Sequence, residues 1–177
     1  MDEATARRVE VRPATLADAA AVAAIYGHHV LHGVGTFEET PPDSAEMAAR
    51  MAAVAEAGLP WFVAEAGDHV LGYACVRPYN PRSGYRFCVE DSVFVAAEAC
   101  SRGLGRQLLS TVIEACTVLG RTQMVAVIGD SGNHASIRLH RALGFQHVGV
   151  LKQLGFKNGR WLDVVLMQRA LAAPARS

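Results

Sequence analysis

Residues 87–120, FCVEDSVFVAAEACSRGLGRQLLSTVIEACTVLG, predict a strand, a glycine loop and a helix in succession. Residues 87–95 are rich in the apolar and aromatic side chains typical of strands. In the second half, apolar residues recur at helical spacing at Leu104, Leu108, Leu109, Val112, Ile113 and Cys116. The loop at residues 100–106 stands at the predicted helix start, where free amides and a positive dipole favour phosphate. It predicts an anion-binding loop or a plain tight turn.

The rest of the chain alternates strands with helices in the same way. Further strands are predicted at residues 9–14, 61–66, 70–76, 124–128, 146–156 and 161–169. Further helices are predicted from the cap at Thr15 and Asp18 to about Val30, over residues 46–57 and over residues 134–143. This order predicts an α/β domain with a mixed sheet. We expect one domain at residues 9–171, a disordered segment at 1–8 and a frayed tail at 172–177.

The composition is that of an ordinary globular protein. Of 177 residues, 51% are hydrophobic and 19% charged, which argues against a disordered chain. The net charge of +0 gives no field that attracts nucleic acid or anionic membranes. No apolar run approaches the roughly 20 residues of a spanning helix, and the first residues lack a signal peptide. We expect a cytoplasmic protein with neither nucleic acid nor membrane as partner.

Metal binding is not expected. The four cysteines form no C-x-x-C pair, which predicts reduced thiols. His28 and His32 lie on one helix face with His29 beside them, a geometry that can bind metal, but no third ligand has matching spacing.

The loop at residues 100–106 lacks the Lys-Ser/Thr of a Walker loop and the third glycine of a dinucleotide fingerprint. It resembles the pyrophosphate loop R/Q-x-x-G-x-G/A of the GNAT acetyltransferases. RPATLAD, VEDSVFV, MVAVIG, NHASIRLHRALGF and GFKNGRWLDVVLMQ, in this order, resemble the phosphinothricin and methionine sulfoximine acetyltransferases over residues 9–169. The resemblance implies a GNAT fold of about seven mostly antiparallel strands and about four helices. It also implies acetyl-CoA as cosubstrate, a small amino-acid-like acceptor acetylated on its α-amine, and a homodimer.

Two catalytic residues follow from the resemblance. Glu90 matches the general base, and burial in an apolar strand could raise its pKa toward a useful range. The alternative is a surface carboxylate paired with an arginine. Asp91 points to the opposite sheet face, which makes it the weaker candidate. His140 stands where many members have the tyrosine that protonates the thiolate; it is predicted as acid or substrate ligand, or as a packing residue.

The cofactor contacts implied by the resemblance are the backbone of Val93, Phe94 and Val95, the loop residues Cys100, Ser101, Arg102, Gly103, Leu104, Gly105 and Arg106, and Asn133 and Ser136. Cys100 replaces the family's usual Arg or Gln. Because backbone amides make most of the contact in such loops, we expect it to tune affinity. We also expect the Cys100 thiol to be packed in the interior rather than reactive.

The acceptor residues implied by the resemblance are Phe37, Arg82, Tyr85, Glu90, Ser92 and His140. Arg82 can bind a carboxylate or phosphinate bidentately, although a solvated loop arginine is an alternative. Trp161 predicts core or subunit-interface packing. Two other functions stay open: a GNAT enzyme for another amine, such as a polyamine, an aminoglycoside or a protein N-terminus, and a non-catalytic acyl-CoA sensor, which only Cys100 favours.

Overall fold

The computed structural model describes residues 9–100 and 102–171. Ser101, the predicted disordered segment 1–8 and the predicted tail 172–177 lie outside the described residues. The strands are β1 (Glu10–Pro13), β2 (Trp61–Ala66), β3 (His69–Pro78), β4 (Cys88–Val95), β5 (Gln123–Gly129), β6 (Gln146–Lys157) and β7 (Arg160–Ala170). The α-helices are α1 (Ala19–His32), α2 (Ser44–Glu56), α3 (Leu104–Val118) and α4 (His134–Ala142). Each predicted strand and helix is present, with ends that differ by a few residues.

The strands form one sheet in the order β1-β2-β3-β4-β5-β7-β6. All neighbouring strands are antiparallel except β4 and β5, which are parallel. The predicted mixed, mostly antiparallel sheet of seven strands is therefore confirmed for the described residues.

The parallel pair is short, and this shortness creates a gap in the sheet. Cys88, Val89 and Glu90 pair with residues 123–125 of β5, and the pairing ends there. Both strands continue, β4 to Val95 and β5 to Gly129. The two strands therefore separate beyond Glu90, and the middle of the sheet opens at this point.

The sheet has a hydrophobic core on each face. On one face, α3 packs against alternate residues of the central strands, including Val76, Val89 and Met124. On the other face, α1 and α2 pack against Val63 and Tyr73. Helix α4 lies on the α3 face, because Leu139 contacts the α3 side at Gly105. Each residue of β4 therefore faces either the α1–α2 side or the α3–α4 side.

Local interactions define the helix starts. Asp43 caps α2, with its Oδ1 accepting from the Glu46 amide at 2.8 Å. The Thr15 amide donates to Asp18 Oδ2 at 2.8 Å, the acidic half of the predicted capping arrangement. A short 3₁₀ turn at Ala97–Ala99 lies between β4 and α3, where the sequence indicated no additional turn.

Candidate active site

A cavity of about 1430 Å³ occupies the gap between β4 and β5, and we call it the cleft. Its walls include residues 90–95 of β4 and 126–129 of β5. It extends from Cys100 and Gly105 at the start of α3 to Arg50 on α2. A cleft of this size and length has room for an extended cofactor and a small second substrate.

The edge of β4 that faces the cleft offers backbone groups for hydrogen bonding. The Ala96 amide donates to Leu71 at 2.8 Å, so residue 96 directs its backbone toward β3. Because successive residues direct their backbone groups to opposite edges, Val93 and Val95 direct theirs toward the gap. His29 Nε2 lies 2.8 Å from the Val95 carbonyl, and since a carbonyl only accepts, Nε2 donates.

The loop before α3 leaves its backbone open to a ligand. Gly103 has φ +78°, a left-handed conformation, and nothing lies within 4 Å of the place a Cβ would occupy. Its carbonyl accepts from the amides of Arg106 and Gln107 at 3.1 and 3.2 Å. Leu104 is buried, whereas Arg102 and Arg106 are exposed. These features fit an anion such as a pyrophosphate at the helix N-terminus.

The prediction that the Cys100 thiol packs in the interior is wrong. Cys100 is exposed and lines the cleft, with its Sγ 3.5 Å from the Ala96 carbonyl. The physical reason is the 3₁₀ turn before it, because that turn places Ala99, which is 1% exposed, at the core position.

Glu90 lines the cleft at the last paired position of β4 and belongs to its α1–α2 face. Its Oε1 accepts from Arg77 Nη2 at 2.6 Å across the β3–β4 pair, and its side chain is 12% exposed. Arg77 is the type of partner that the alternative interpretation of Glu90 requires. The structure thus combines a cleft position with an ion pair, and the catalytic role of Glu90 stays a prediction.

His140 and Asp91 form a buried pair on the opposite face of β4. His140 Nε2 lies 2.9 Å from Asp91 Oδ2, and both side chains are at most 3% exposed. His140 Nδ1 lies 2.8 Å from the Ser136 carbonyl and 3.3 Å from Ser136 Oγ. Burial alone would lower the pKa of His140, but the hydrogen bond and the charge of Asp91 outweigh it and leave the pKa above its ordinary value.

Asn133 and Ser136 lie together at the start of α4, as the sequence predicts. Asn133 caps the helix, because its Oδ1 accepts from the Ser136 amide at 3.3 Å. Both residues line the cleft, so they are in place for the predicted cofactor contact. That contact itself stays a prediction.

Phe37 lies in the cleft wall, where two glycines make room for its loop. A Cβ on Gly155 would lie 2.2 Å from Phe37 Cε2, and one on Gly129 would lie 2.1 Å from the Val34 carbonyl oxygen. Lys157, which is 1% exposed, donates to the Thr36 carbonyl at 2.7 Å. The segment that carries Phe37 is therefore fixed against β5 and β6.

A polar cluster from α1 and α2 holds the other end of this segment. The Tyr26 hydroxyl donates to Glu38 Oε1 at 2.8 Å and lies 2.7 Å from Thr36 Oγ1. Arg50 donates to both Glu38 oxygens at 2.8 and 3.0 Å. All four side chains line the cleft.

The remaining predicted acceptor residues differ in position. Ser92 lines the cleft beside Glu90. Arg82 and Tyr85 are exposed on the loop between β3 and β4 and are not among the cleft residues, and Tyr85 packs against Tyr79 with ring centroids 5.7 Å apart. Their contact with an acceptor stays a prediction.

Several charged residues near the site were not found from sequence, among them Arg50, Arg77 and Lys157. Arg77 has a sequence signal, because it directly follows the predicted hairpin strand 70–76, which precedes the strand of Glu90. Arg50 and Lys157 have none, because a lone arginine on a helix and a lysine beside an Asn-Gly turn are usually solvated. Their positions depend on how distant segments pack.

Two histidines of α1 lie against each other on one face of the helix. His28 and His32 have ring centroids 4.9 Å apart. Across residues 9–100 and 102–171, no group of three or more His, Cys, Asp or Glu side chains is arranged to hold a metal ion. None of the helices in these ranges combines the length and apolarity needed to cross a membrane.

The split sheet, the open loop before α3 and the cleft between them define the GNAT class of acyltransferase. The Acetyltransferase (GNAT) family model matches residues 27–145, and the chain belongs to this family. The membership confirms the predicted fold and the predicted class, an acetyl-CoA-dependent N-acetyltransferase.

Three individual proteins are similar to this chain over most of its length. The chain is 54% identical to a phosphinothricin N-acetyltransferase from Alcaligenes faecalis over 88% of this chain and 79% of that protein. It is 44% identical to an L-methionine sulfoximine/L-methionine sulfone acetyltransferase from Pseudomonas paraeruginosa, over 94% of this chain and 96% of the relative. The crystal structure of a phosphinothricin acetyltransferase from Sinorhizobium meliloti in complex with AcCoA has a TM-score of 0.88 and 46% identity, over 92% of this chain and 88% of that one.

Proposed function

We propose that this protein transfers an acetyl group from acetyl-CoA to the α-amine of a small amino acid or analogue, with phosphinothricin, methionine sulfoximine and methionine sulfone as leading acceptors. One observation carries the proposal. A single cleft joins the open loop before α3 to Glu90 and Phe37 on the α1–α2 side. The acceptors are those named for relatives of 54% and 44% identity.

The cofactor side of the site consists of backbone groups. The loop at residues 100–106 would hold the pyrophosphate at the N-terminus of α3, supported by the exposed charges of Arg102 and Arg106. The cleft edge of β4 would bind the rest of the molecule through Val93 and Val95. Acetyl-CoA supplies the activated acetyl group. Asn133 and Ser136 border the same part of the cleft.

The part of the cleft near Glu90 would supply the general base and the groups that position the amine substrate. Glu90 would take a proton from the ammonium of the acceptor, directly or through water. Its partner Arg77 also lines the cleft and carries guanidinium N–H groups that suit a carboxylate or phosphinate. Phe37 and Ser92 would form part of the wall around the acceptor. Arg82 and Tyr85 lie on the loop that precedes β4. His140 is the candidate donor of the proton that the leaving sulfur takes up.

We further propose a homodimer, located in the cytoplasm. Four large apolar side chains of the β6–β7 hairpin are more than half exposed: Val148, Leu154, Phe156 and Trp161. Phe156 and Trp161 pack edge to face with centroids 5.2 Å apart. Exposed apolar groups of this size support burial against a second copy. Light scattering after gel filtration would give twice the chain mass; a monomer at micromolar concentration would contradict the dimer.

The experiment that tests the activity is release of CoA thiol from acetyl-CoA across a panel of amines. The panel contains phosphinothricin, methionine sulfoximine, methionine sulfone, the common amino acids, spermidine and an aminoglycoside. Selective turnover of the first three is expected. Turnover restricted to spermidine or the aminoglycoside would reject the acceptor, because the cleft would then prefer a polycation. Expression in sensitive cells should also confer phosphinothricin resistance, and unchanged sensitivity despite turnover in vitro would reject this consequence.

A further inference from the structure

The buried pair of Asp91 and His140 holds a proton because of its geometry. The Ser136 carbonyl can only accept, so the ring nitrogen that faces it at 2.8 Å, Nδ1, carries a hydrogen. The other nitrogen, Nε2, faces a carboxylate oxygen at 2.9 Å. Two acceptors cannot face each other at this distance without a proton between them. One proton therefore lies between Nε2 and Asp91 Oδ2, and it comes in addition to the one on Nδ1.

Two thiols that interact with Asp91 carry no charge. Burial raises the pKa of Cys75 on β3 and of Cys116 on α3 to about 12, so both stay neutral. Phe145 packs edge to face on the His140 ring at 4.9 Å. Among the described residues, Asp91 forms its ion pair with His140.

The second oxygen of the carboxylate is in an unusual state. Asp91 Oδ1 is buried and has no hydrogen-bond partner among the described residues. Asp91 stands one position beyond the last β4–β5 pair, and both it and His140 line the cleft. A buried acceptor without a partner is costly, which marks it as a functional candidate.

We propose that Asp91 is a positioning residue for catalysis: it fixes the orientation and the additional proton of His140 at the point where β4 and β5 separate. The inference rests on the proposed acetyl transfer: the Ser136 carbonyl holds the Nδ1 hydrogen, so the proton shared by His140 Nε2 and Asp91 Oδ2 is the one that passes to the leaving sulfur. It assigns to Asp91 a role that acts through His140, on the face of β4 opposite Glu90.

The first test is an NMR titration of the imidazole of His140, assigned by comparison with His140→Gln. In the unaltered protein, the neutral ring should carry its hydrogen on Nδ1, and its titration midpoint should lie above the ordinary value of about 6.5. In Asp91→Asn, the midpoint should fall by about one unit or more. An Nε2–H neutral tautomer, or a midpoint that does not move in Asp91→Asn, would overturn the proposal. The tautomer is measured in the unaltered protein, with His140→Gln used only to assign the signal, and neither measurement requires an acceptor.

The second test is a double-mutant cycle on turnover. Asp91→Asn and His140→Gln should each lower kcat at least about tenfold, with the acceptor KM changed less than about threefold. The double variant should lose no more than either single variant, because Asp91 acts through His140. Additive losses would overturn the proposal.

A matched control separates this effect from the loss of any buried carboxylate. Asp18 is also buried and ion-paired, with Arg12, but does not line the cleft. Asp18→Asn should lower stability and leave kcat unchanged, and an equal loss of kcat in this variant would overturn the specific role of Asp91. If no acceptor turns over while the titration gives the expected result, the proposed function fails and the assignment of the proton stands.

Discussion

Replacing Gly155 with alanine would place a methyl group in steric overlap with the edge of the Phe37 ring. The added Cβ would lie 2.2 and 2.3 Å from Phe37 Cε2 and Cδ2, whereas ordinary contact begins near 3.4 Å. The ring must therefore withdraw by about 1.2 Å toward the cleft, or β6 must shift. Overpacking of this kind costs about 1 to 3 kcal/mol.

The consequence for activity depends on where the ring moves. Phe37 lines the cleft and is a predicted acceptor residue, and its neighbours on β6 and β5 leave it little room to retreat. If the displacement costs acceptor binding about 1.4 kcal/mol, the acceptor KM rises about tenfold. The affinity for acetyl-CoA should stay within about twofold, because Phe37 is not among the residues predicted to contact the cofactor.

The assay is CoA thiol release against methionine sulfoximine concentration, with calorimetry for acetyl-CoA and a thermal melt. Gly149→Ala is the matched control on the same strand, because nothing lies within 4 Å of its added Cβ. It should leave KM and Tm unchanged. If Gly155→Ala also left both quantities unchanged, Phe37 would not be fixed against Gly155 and its place in the acceptor site would be refuted.

Three further predictions concern the base, the loop and the N-terminal ion pair. Glu90→Gln should lower kcat at least about tenfold in a folded protein, and a near-normal kcat would remove Glu90 as general base. Gly103→Val should weaken acetyl-CoA binding about tenfold by calorimetry, since valine at φ +78° costs about 1–2 kcal/mol and displaces the loop; unchanged affinity would reject the loop. The Arg12 hydrogen bond lowers the pKa of Asp18 from 3.8 to about 2, so its stabilisation is present above about pH 4 and lost as pH falls toward 2. Asp18→Asn should lose about 2 kcal/mol in urea unfolding at pH 7 and almost none at pH 2, and equal losses at both would contradict the linkage.

The order of strands and helices could be predicted from sequence because it depends on local patterns. Period-two alternation along β4 also predicted that Glu90 and Asp91 face opposite sides of the sheet, as they do. The separation of β4 from β5 could not be predicted, because side chains alternate between the two faces in the same way along the paired and the unpaired part of each strand. The same pattern therefore describes paired and unpaired residues.

The site was predictable only where a motif is contiguous in the chain. The loop at residues 100–106 is such a motif, whereas the partner of His140 lies on β4 and is fixed by the packing of α4. Asp91 was predicted to be the weaker catalytic candidate only because it faces the side of the sheet opposite Glu90. That side also contains His140, and its presence there depends on tertiary packing that the sequence pattern does not show.

The central claim is tested most directly by identifying the product formed from L-methionine sulfoximine and acetyl-CoA. The account predicts one acetyl group, located on the α-nitrogen by tandem mass spectrometry, in an amount equal to the CoA released. Acetylation at the sulfoximine nitrogen would contradict the assignment of the α-amine. Tight acetyl-CoA binding with no acetylated product from any amine would contradict acetyl transfer itself and indicate an acyl-CoA sensor.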